Sequence, residues 1–255
     1  MKQQNGNVLF IILIAIALFG ALSIAMTETN SGATDIDDEK LMLAASEIAQ
    51  TASDIKNAVD QLVAVNGCGD TQISFAFDSD ADGDVDSADD YWNANAPSNG
   101  MCNVFGESGG GLTFPELNPD FLDSANSAEP LYGKYHFSGA SQLRNVGTSE
   151  ACGDRETSVE LLIHAPYLKR EVCEQIVLKT TGMDNTGDIP QDNNIFYEHR
   201  NLGHQFDGTY KDACGFELYA TGDPDVFNGD ISGCVEGKTL PPEGTYHFFH
   251  ALIVR

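Results

Sequence analysis

An uncharged apolar stretch near the amino terminus constrains this chain more than any other feature. It covers residues 8–26, VLFIILIAIALFGALSIAM. At about 1.5 Å of rise per residue, such a helix would span about 28 Å, close to the hydrocarbon thickness of a bilayer. Lys2 precedes it, and the first charged residues after it are Glu28 and Asp35. Because positive flanks stay in the cytoplasm, we expect a single transmembrane helix at residues 7–26, with the rest of the chain across the membrane.

Three interpretations of this segment stay open. One is a secretory signal cleaved after the small residues Ser23-Ile24-Ala25, although the apolar core exceeds the usual length of about 7–15 residues. Another is a plain anchor that is never cleaved. The third treats residues 1–6 as a short polar leader that ends at Gly6, so that the mature chain begins at Asn7.

The opening MKQQNG-NVLFIILIAIALFGALSIAMTE resembles the class III signal of type IV pilins and type II secretion pseudopilins. In that family a peptidase cuts after the leader glycine and methylates the new terminus, which implies Gly6 and Asn7 as processing residues. Most subunits carry a glutamate where this chain has Ile11, and that glutamate pairs with a neighbouring amino group. Since a buried unpaired amino group is costly, the resemblance implies a minor subunit. It also implies the bacterial inner membrane as location, with the head in the periplasm.

Composition narrows the choice of partners. The chain has 13 Lys and Arg against 39 Asp and Glu, a formal net charge of −26. Such a charge excludes nucleic acid as an expected partner, because a binding surface for phosphates is basic. The expected partners are the inner membrane, through residues 7–26, and other pilin-like subunits.

Six cysteines, all beyond the apolar stretch, predict disulfide bonds. None forms a CxxC pair, so the pattern favours an oxidising compartment over metal or redox chemistry in the cytosol. Pairing of sequence neighbours is the simplest hypothesis, while the connectivity itself stays open. The hypothetical pairs are Cys68–Cys102, Cys152–Cys173 and Cys214–Cys234.

Residues 27–66 read as a linker followed by an amphipathic helix. TETNSGAT at 27–34 is polar and predicts an interruption. Apolar positions then alternate at spacings of four and three, which is one stripe of a helix that ends near Asn66-Gly67. We expect this stripe to pack on its own domain. Its members are Leu41, Ala45, Ile48, Ala52, Ile55, Val59 and Leu62.

Residues 67–255 predict a periplasmic head of α+β class with a mostly antiparallel sheet. Short apolar runs are separated by Gly, Pro, Asn and Asp, as in a strand-rich domain. A helix is expected from Pro166, because proline suits a first helical turn, to Thr181. The predicted strands are 72–77, 102–105, 132–138, 159–163, 215–220 and 245–254.

Residues 78–89, DSDADGDVDSAD, match the spacing of a twelve-residue EF-hand calcium loop and resemble the isolated loops of dockerins. Alternating carboxylates converge on a hard cation, and Gly83 permits the sharp turn between them. Position twelve is the shorter Asp89, and the preceding run looks like a strand. We expect a structural calcium ion, with a solvated acidic loop as the alternative. The candidate ligands are Asp78, Asp80, Asp82, Asp84, Asp86 and Asp89.

Catalytic motifs are weak. Gly106-Glu107-Ser108-Gly109-Gly110 fits G-x-S-x-G, but the following Gly and Pro residues disfavour the helix that a nucleophile elbow needs. His247 and His250 point to opposite faces of a predicted strand, a poor metal pair. The expected protein is therefore not an enzyme. It is a membrane-anchored pilin-like or minor pseudopilin-like subunit with a calcium-stabilised head, acting in a filament or secretion apparatus. The alternative is a single-pass envelope binding protein that forms no filament.

Overall fold

The computed structural model describes residues 32–143, 145–147, 159–181, 189–192, 205–210, 217–218, 229–238 and 241–255. The chain divides into two compact units, Met1–Leu43 and Ala44–Arg255. All strands and the second helix belong to the larger unit.

Helix α1 spans Gly32–Ala64. From Ala44 onward one stripe of this helix is buried, including Ile48, Ile55 and Leu62, each at most 2 % exposed. The helix ends as predicted, because Gly67 adopts a positive φ of 71° and the Cys68 N–H donates back to the Leu62 carbonyl at 3.1 Å. It begins earlier than predicted, since residues 32–34 of the expected linker are helical.

The remaining elements form a sheet and one short helix. Strands β1 and β2 are followed by helix α2, and strands β3 to β6 complete the chain. Their bounds are β1 His136–Leu143, β2 Glu160–Leu168, α2 Arg170–Thr181, β3 Gln191–Asp192, β4 Glu217–Leu218, β5 Ser232–Gly237 and β6 Tyr246–Ile253. Three short 3₁₀ turns lie at Asp70–Gln72, Pro119–Phe121 and Ser124–Asn126.

The sheet has the order β3-β5-β6-β2-β1-β4. Its four central strands, β5, β6, β2 and β1, pair with one another in antiparallel fashion, and the two-residue strands β3 and β4 pair in parallel at the edges. The predicted strands at 159–163 and 245–254 correspond to β2 and β6. The predicted strands at 72–77 and 102–105 are instead joined by one isolated bridge, between Ser74 and Asn103.

Aromatic rings fill the core beside this sheet. Phe75 stacks on Phe137 of β1 with centroids 4.1 Å apart, and Phe206 meets Phe75 edge-on at 6.1 Å. All three side chains are fully buried. Because burying a phenyl ring contributes about 2–3 kcal/mol, this cluster fixes the segment around Phe75 against β1 without ladder hydrogen bonds.

The transmembrane helix requires a correction. Over the parts of the chain that the structure describes, no helix combines the length and the apolar character needed to cross a bilayer. This finding contradicts the predicted fold class in that element and the predicted single-pass inner-membrane localisation. The segment behind both predictions, residues 7–26, lies outside the described residues, as do Gly6 and Asn7.

Two disulfides staple the larger unit. Cys68–Cys102 confirms one predicted pair. Cys173 of α2 pairs with Cys234 of β5, so the hypothetical pairs Cys152–Cys173 and Cys214–Cys234 are wrong. The physical reason is that α2 packs against β5 and β6, which brings residues 61 positions apart into contact. Cys152 and Cys214 lie outside the described residues, and none of the described cysteines is a free thiol.

Candidate calcium loop

Backbone hydrogen bonds and a disulfide hold the chain on both sides of the loop at residues 78–89. Ser74, just before it, accepts a hydrogen bond from the Val104 N–H at 2.9 Å and donates its own N–H to the Cys102 carbonyl at 3.0 Å. The Cys68–Cys102 disulfide closes a covalent ring around the loop. The chain therefore enters from an extended segment, as predicted, and no helix leads directly into the loop.

Three of the predicted ligands converge. One carboxylate oxygen from each of Asp78, Asp80 and Asp82 lies within 4.8 Å of the others, and all three side chains are exposed. Asp78 also accepts hydrogen bonds from the N–H groups of Asp82 and Gly83, both at 3.1 Å. Gly83 has a φ of 100°, which favours glycine at this turn. The backbone thus turns each of the three carboxylates toward one point.

The charges in this group repel one another. The hydrogen bond from the Asp82 N–H lowers the pKa of Asp80, but desolvation and the negative charges of Asp82, Asp89 and Asp78 outweigh it, so the pKa is raised. A divalent cation at the point of convergence would remove this repulsion and is the ion that hard carboxylate oxygens prefer.

Asp89 has a different position from the converging three. Its Oδ1 accepts from the Ser79 N–H at 2.6 Å and from the Ser79 hydroxyl at 2.9 Å, and its Oδ2 accepts from the Asp86 N–H at 2.9 Å. The bond from Asp86, with those from Ser79, lowers the pKa of Asp89 although desolvation raises it. Asp89 therefore ties the start of the loop to its end. Asp84 and Asp86 are likewise outside the converging group.

The loop exit is anchored in the core. Tyr91 is buried with a φ of 62°, and its hydroxyl lies 3.0 Å from Nδ1 of His136. Burial is the largest cause of the raised pKa of this tyrosine. Asn93 donates from Nδ2 to the carbonyls of Thr71 at 2.9 Å and Ile73 at 2.7 Å. Because the loop ends in these contacts, a loop held in one conformation also holds the adjoining part of the domain in place.

A short segment at residues 205–210 docks on this exit. Gln205 accepts from the Tyr91 N–H at 3.4 Å and donates to Asp90 at 3.2 Å. Gly208 has a φ of 86°, and a methyl group there would lie 2.3 Å from Oδ1 of Asn93 and 2.5 Å from the Thr71 carbonyl. Only glycine fits this approach.

Gly208→Ala is expected to lower the free energy of unfolding by about 2 kcal/mol more than Gly244→Ala. Both glycines have a similar positive φ, of 86° and 82°, but no heavy atom lies within 4 Å of a methyl group at residue 244. The control therefore measures backbone strain alone. Urea unfolding of the two variants gives the difference, and equal losses would show that segment 205–210 does not pack as described.

Other sequence candidates lie apart from the loop. Residues 106–110 form a tight turn, since the N–H groups of Gly109 and Gly111 both donate to the Gly106 carbonyl at 3.0 Å, and no helix follows. His247 is buried, with Nε2 2.8 Å from the Thr245 hydroxyl, and His250 lies on the other face of β6.

Sequence reasoning missed a set of buried polar side chains on β1 and β2. His136 faces His164 in register, with ring centroids 6.2 Å apart, and Glu160 opposes Ser141. All four are buried. Alternating polar residues in an otherwise apolar strand were the available signal, but solvent exposure is the usual explanation for that pattern.

Comparison of the chain with protein-family models, with curated proteins and with solved structures gives no match.

Proposed function

We propose that this chain is a non-catalytic structural protein whose disulfide-bonded domain is stabilised by one calcium ion in the loop at residues 78–89. The observation that carries the proposal is the convergence of the Asp78, Asp80 and Asp82 carboxylates within 4.8 Å. The carbonyl of Asp84, at position seven of the loop, is the fourth expected ligand. The two disulfides support the location of this protein in an oxidising compartment.

The architecture favours assembly as the role of this domain. Its main described elements are the part of α1 from Ala44 onward and a sheet with four antiparallel central strands, and a disulfide joins the second helix to that sheet. Together with the pilin-like opening of the sequence, this supports a minor, pilin-like subunit whose head must be rigid. Calcium holds the carboxylates of residues 78–82 together, and the buried Tyr91 anchors the same stretch of chain further on. The loop is therefore rigid when calcium is bound.

Calcium is expected to bind with a dissociation constant of about 10⁻⁴–10⁻³ M, as in extracellular modules. At about 10 mM calcium this stabilises the folded state by about 1.4–2.7 kcal/mol. Asp82→Ala should abolish the gain, since it removes one converging ligand oxygen altogether, whereas asparagine at this position would still offer one. Asp84→Asn is the matched control, because only the backbone carbonyl of Asp84 is required. Thermal unfolding with calcium and with chelator measures both.

Equal melting curves with calcium and chelator would reduce the loop to a solvated acidic turn. An equal loss in the two variants would show that net charge alone sets the response. Light scattering in the same titration tests the assembly role. Growth of particles with calcium that is absent in Asp82→Ala supports assembly. A calcium-bound protein that stays monomeric at high concentration argues for a binding protein that forms no filament.

A further inference from the structure

Glu160, the first residue of β2, is a fully buried carboxyl group. Its Oε2 accepts a hydrogen bond from the Leu143 N–H at 2.7 Å. Its Oε1 is buried and has no hydrogen-bond partner among the described residues. An ionised carboxylate with one oxygen buried and without a hydrogen bond raises the free energy of the folded state far more than a protonated carboxyl does.

Segment 205–210 packs against the strand that opposes Glu160. The pairing of β1 with β2 is irregular between Ser138 and Ser141, and Gly139 lies in that irregularity. A methyl group at Gly139 would lie 3.0 Å from the rings of both Phe206 and Tyr210, so these rings rest directly on the backbone there. The buried hydroxyl of Tyr210 also has no partner among the described residues.

The charge of Arg255 acts on this carboxyl, and Arg255 itself contacts Tyr210 and Asp70. The guanidinium of Arg255 lies 4.0 Å over the Tyr210 ring, and its Nε is 3.0 Å from Oδ2 of Asp70. On β1 the register partner of Glu160 is the uncharged Ser141. Arg255 is thus shared with Asp70 and neutralises Glu160 only in part.

Burial raises the pKa of Glu160 to about 7, although the hydrogen bond from Leu143 and the charge of Arg255 lower it. Burial likewise raises the pKa of Tyr210, with a further contribution from the negative charges of Asp70 and Glu160. Tyr210 therefore stays protonated across the range in which Glu160 changes charge.

We propose that Glu160 and segment 205–210 form a proton-operated latch, closed over β1 at Gly139 when the carboxyl is protonated and opened when it ionises. Opening lifts Tyr210 and admits water to the carboxylate, which removes the cost of its desolvation. Because Gln205 also holds Asp90 and Tyr91 at the exit of the acidic loop, opening frees that exit as well. The latch needs no bound calcium and stands apart from the proposed function.

Hydrogen exchange of the backbone amides at pH 5 and pH 8, corrected for intrinsic rates, tests the latch. The equilibrium constant for opening should rise by roughly tenfold per pH unit between the pKa of Glu160 in the open segment and its pKa in the closed segment. Between pH 5 and pH 8 the rise is on the order of 50- to 100-fold. We expect this loss of protection in peptides covering 205–210 and no comparable change in α1. Glu160→Gln should keep the segment closed at both pH values, and Glu236→Gln, a half-buried glutamate of β5, should behave as the wild type.

Equal protection of the wild type at the two pH values would overturn the proposal, and so would a pH response that survives in Glu160→Gln. Should that variant fail to fold, a carboxyl ¹³C NMR titration of the wild type decides. A Glu160 midpoint near 7 that coincides with the exchange transition supports the latch, and a midpoint near 4.5 contradicts it.

Discussion

Acidification from pH 6.5 to pH 4 is expected to remove about 5 kcal/mol of stability through two buried histidines. Burial lowers the pKa of His247 to about 3. Burial, with the nearby positive charge of Lys56, lowers the pKa of His250 to about 4. Both stay neutral in the folded chain while the unfolded chain takes up protons below its usual pKa of 6.5, so stability falls as the pH drops through that window.

Glu160 acts in the opposite direction. Its raised pKa of about 7 means that the folded chain takes up a proton before the unfolded chain does, so this group gains stability as the pH falls from 7 toward 4.5. The gain offsets about 2 kcal/mol of the loss from the histidines between pH 6.5 and 4. A net loss of about 3 kcal/mol remains, enough to unfold a marginally stable domain.

Urea unfolding at half-unit pH steps measures this balance. His250→Gln should remove about half of the loss due to histidine, and Glu160→Gln should make the acid fall steeper. The two variants therefore change the slope in opposite directions. A wild-type profile that is flat from pH 6.5 to 4, or variants that leave its slope unchanged, would contradict the assignment of neutral buried histidines.

Loss of the Cys173–Cys234 disulfide is expected to destabilise the larger unit by about 4 kcal/mol, through the loop-closure entropy of the unfolded chain. The bond spans 61 residues, against 34 for Cys68–Cys102. It also holds α2 on β5, and both cysteines are fully buried. The double variant Cys173→Ala with Cys234→Ala avoids an unpaired thiol at either position.

Urea unfolding of this variant gives the size of the effect, and Cys68→Ala with Cys102→Ala is the reference, expected to lose slightly less. Mass spectrometry of unreduced peptides tests the pairing itself. A peptide with Cys173 linked to Cys234 agrees with the fold. Linkage of Cys173 to Cys152, the pairing of sequence neighbours, would contradict it.

Periodic features of the sequence predicted local structure well. The stripe of α1 was visible because its apolar residues recur every three or four positions, and Gly67 marked its end. The start was misplaced because Gly32 and Thr34 are poor helix formers in isolation, and surrounding structure overrides such propensities.

Features that depend on distant contacts were missed. Strand β5 contains two glycines and little β-branched character, so its pairing with β6 decides its conformation. Pro166 suggested a helix start but lies within β2, where pairing with β6 is irregular between Ala165 and Leu168 and Tyr167 has a φ of 58°. Proline is tolerated at such an irregularity because no ladder hydrogen bond is lost.

The candidate calcium loop likewise has features that the sequence predicted and features that it did not. The spacing of Asp78, Asp80 and Asp82 identified the converging carboxylates from sequence alone. The role of Asp89 in tying the loop ends together was not predictable, since a carboxylate at position twelve is a ligand in the usual pattern. The buried Glu160 and the close approach at Gly208 depend on residues far away in the chain.

Titration calorimetry of calcium into the full chain, after treatment with chelator, shows whether the loop at residues 78–89 binds calcium. We expect one site per chain with a dissociation constant of about 10⁻⁴–10⁻³ M, retained in Asp84→Asn and lost in Asp82→Ala. Absence of saturable heat up to about 10 mM calcium, well above that range, would contradict a calcium-stabilised domain.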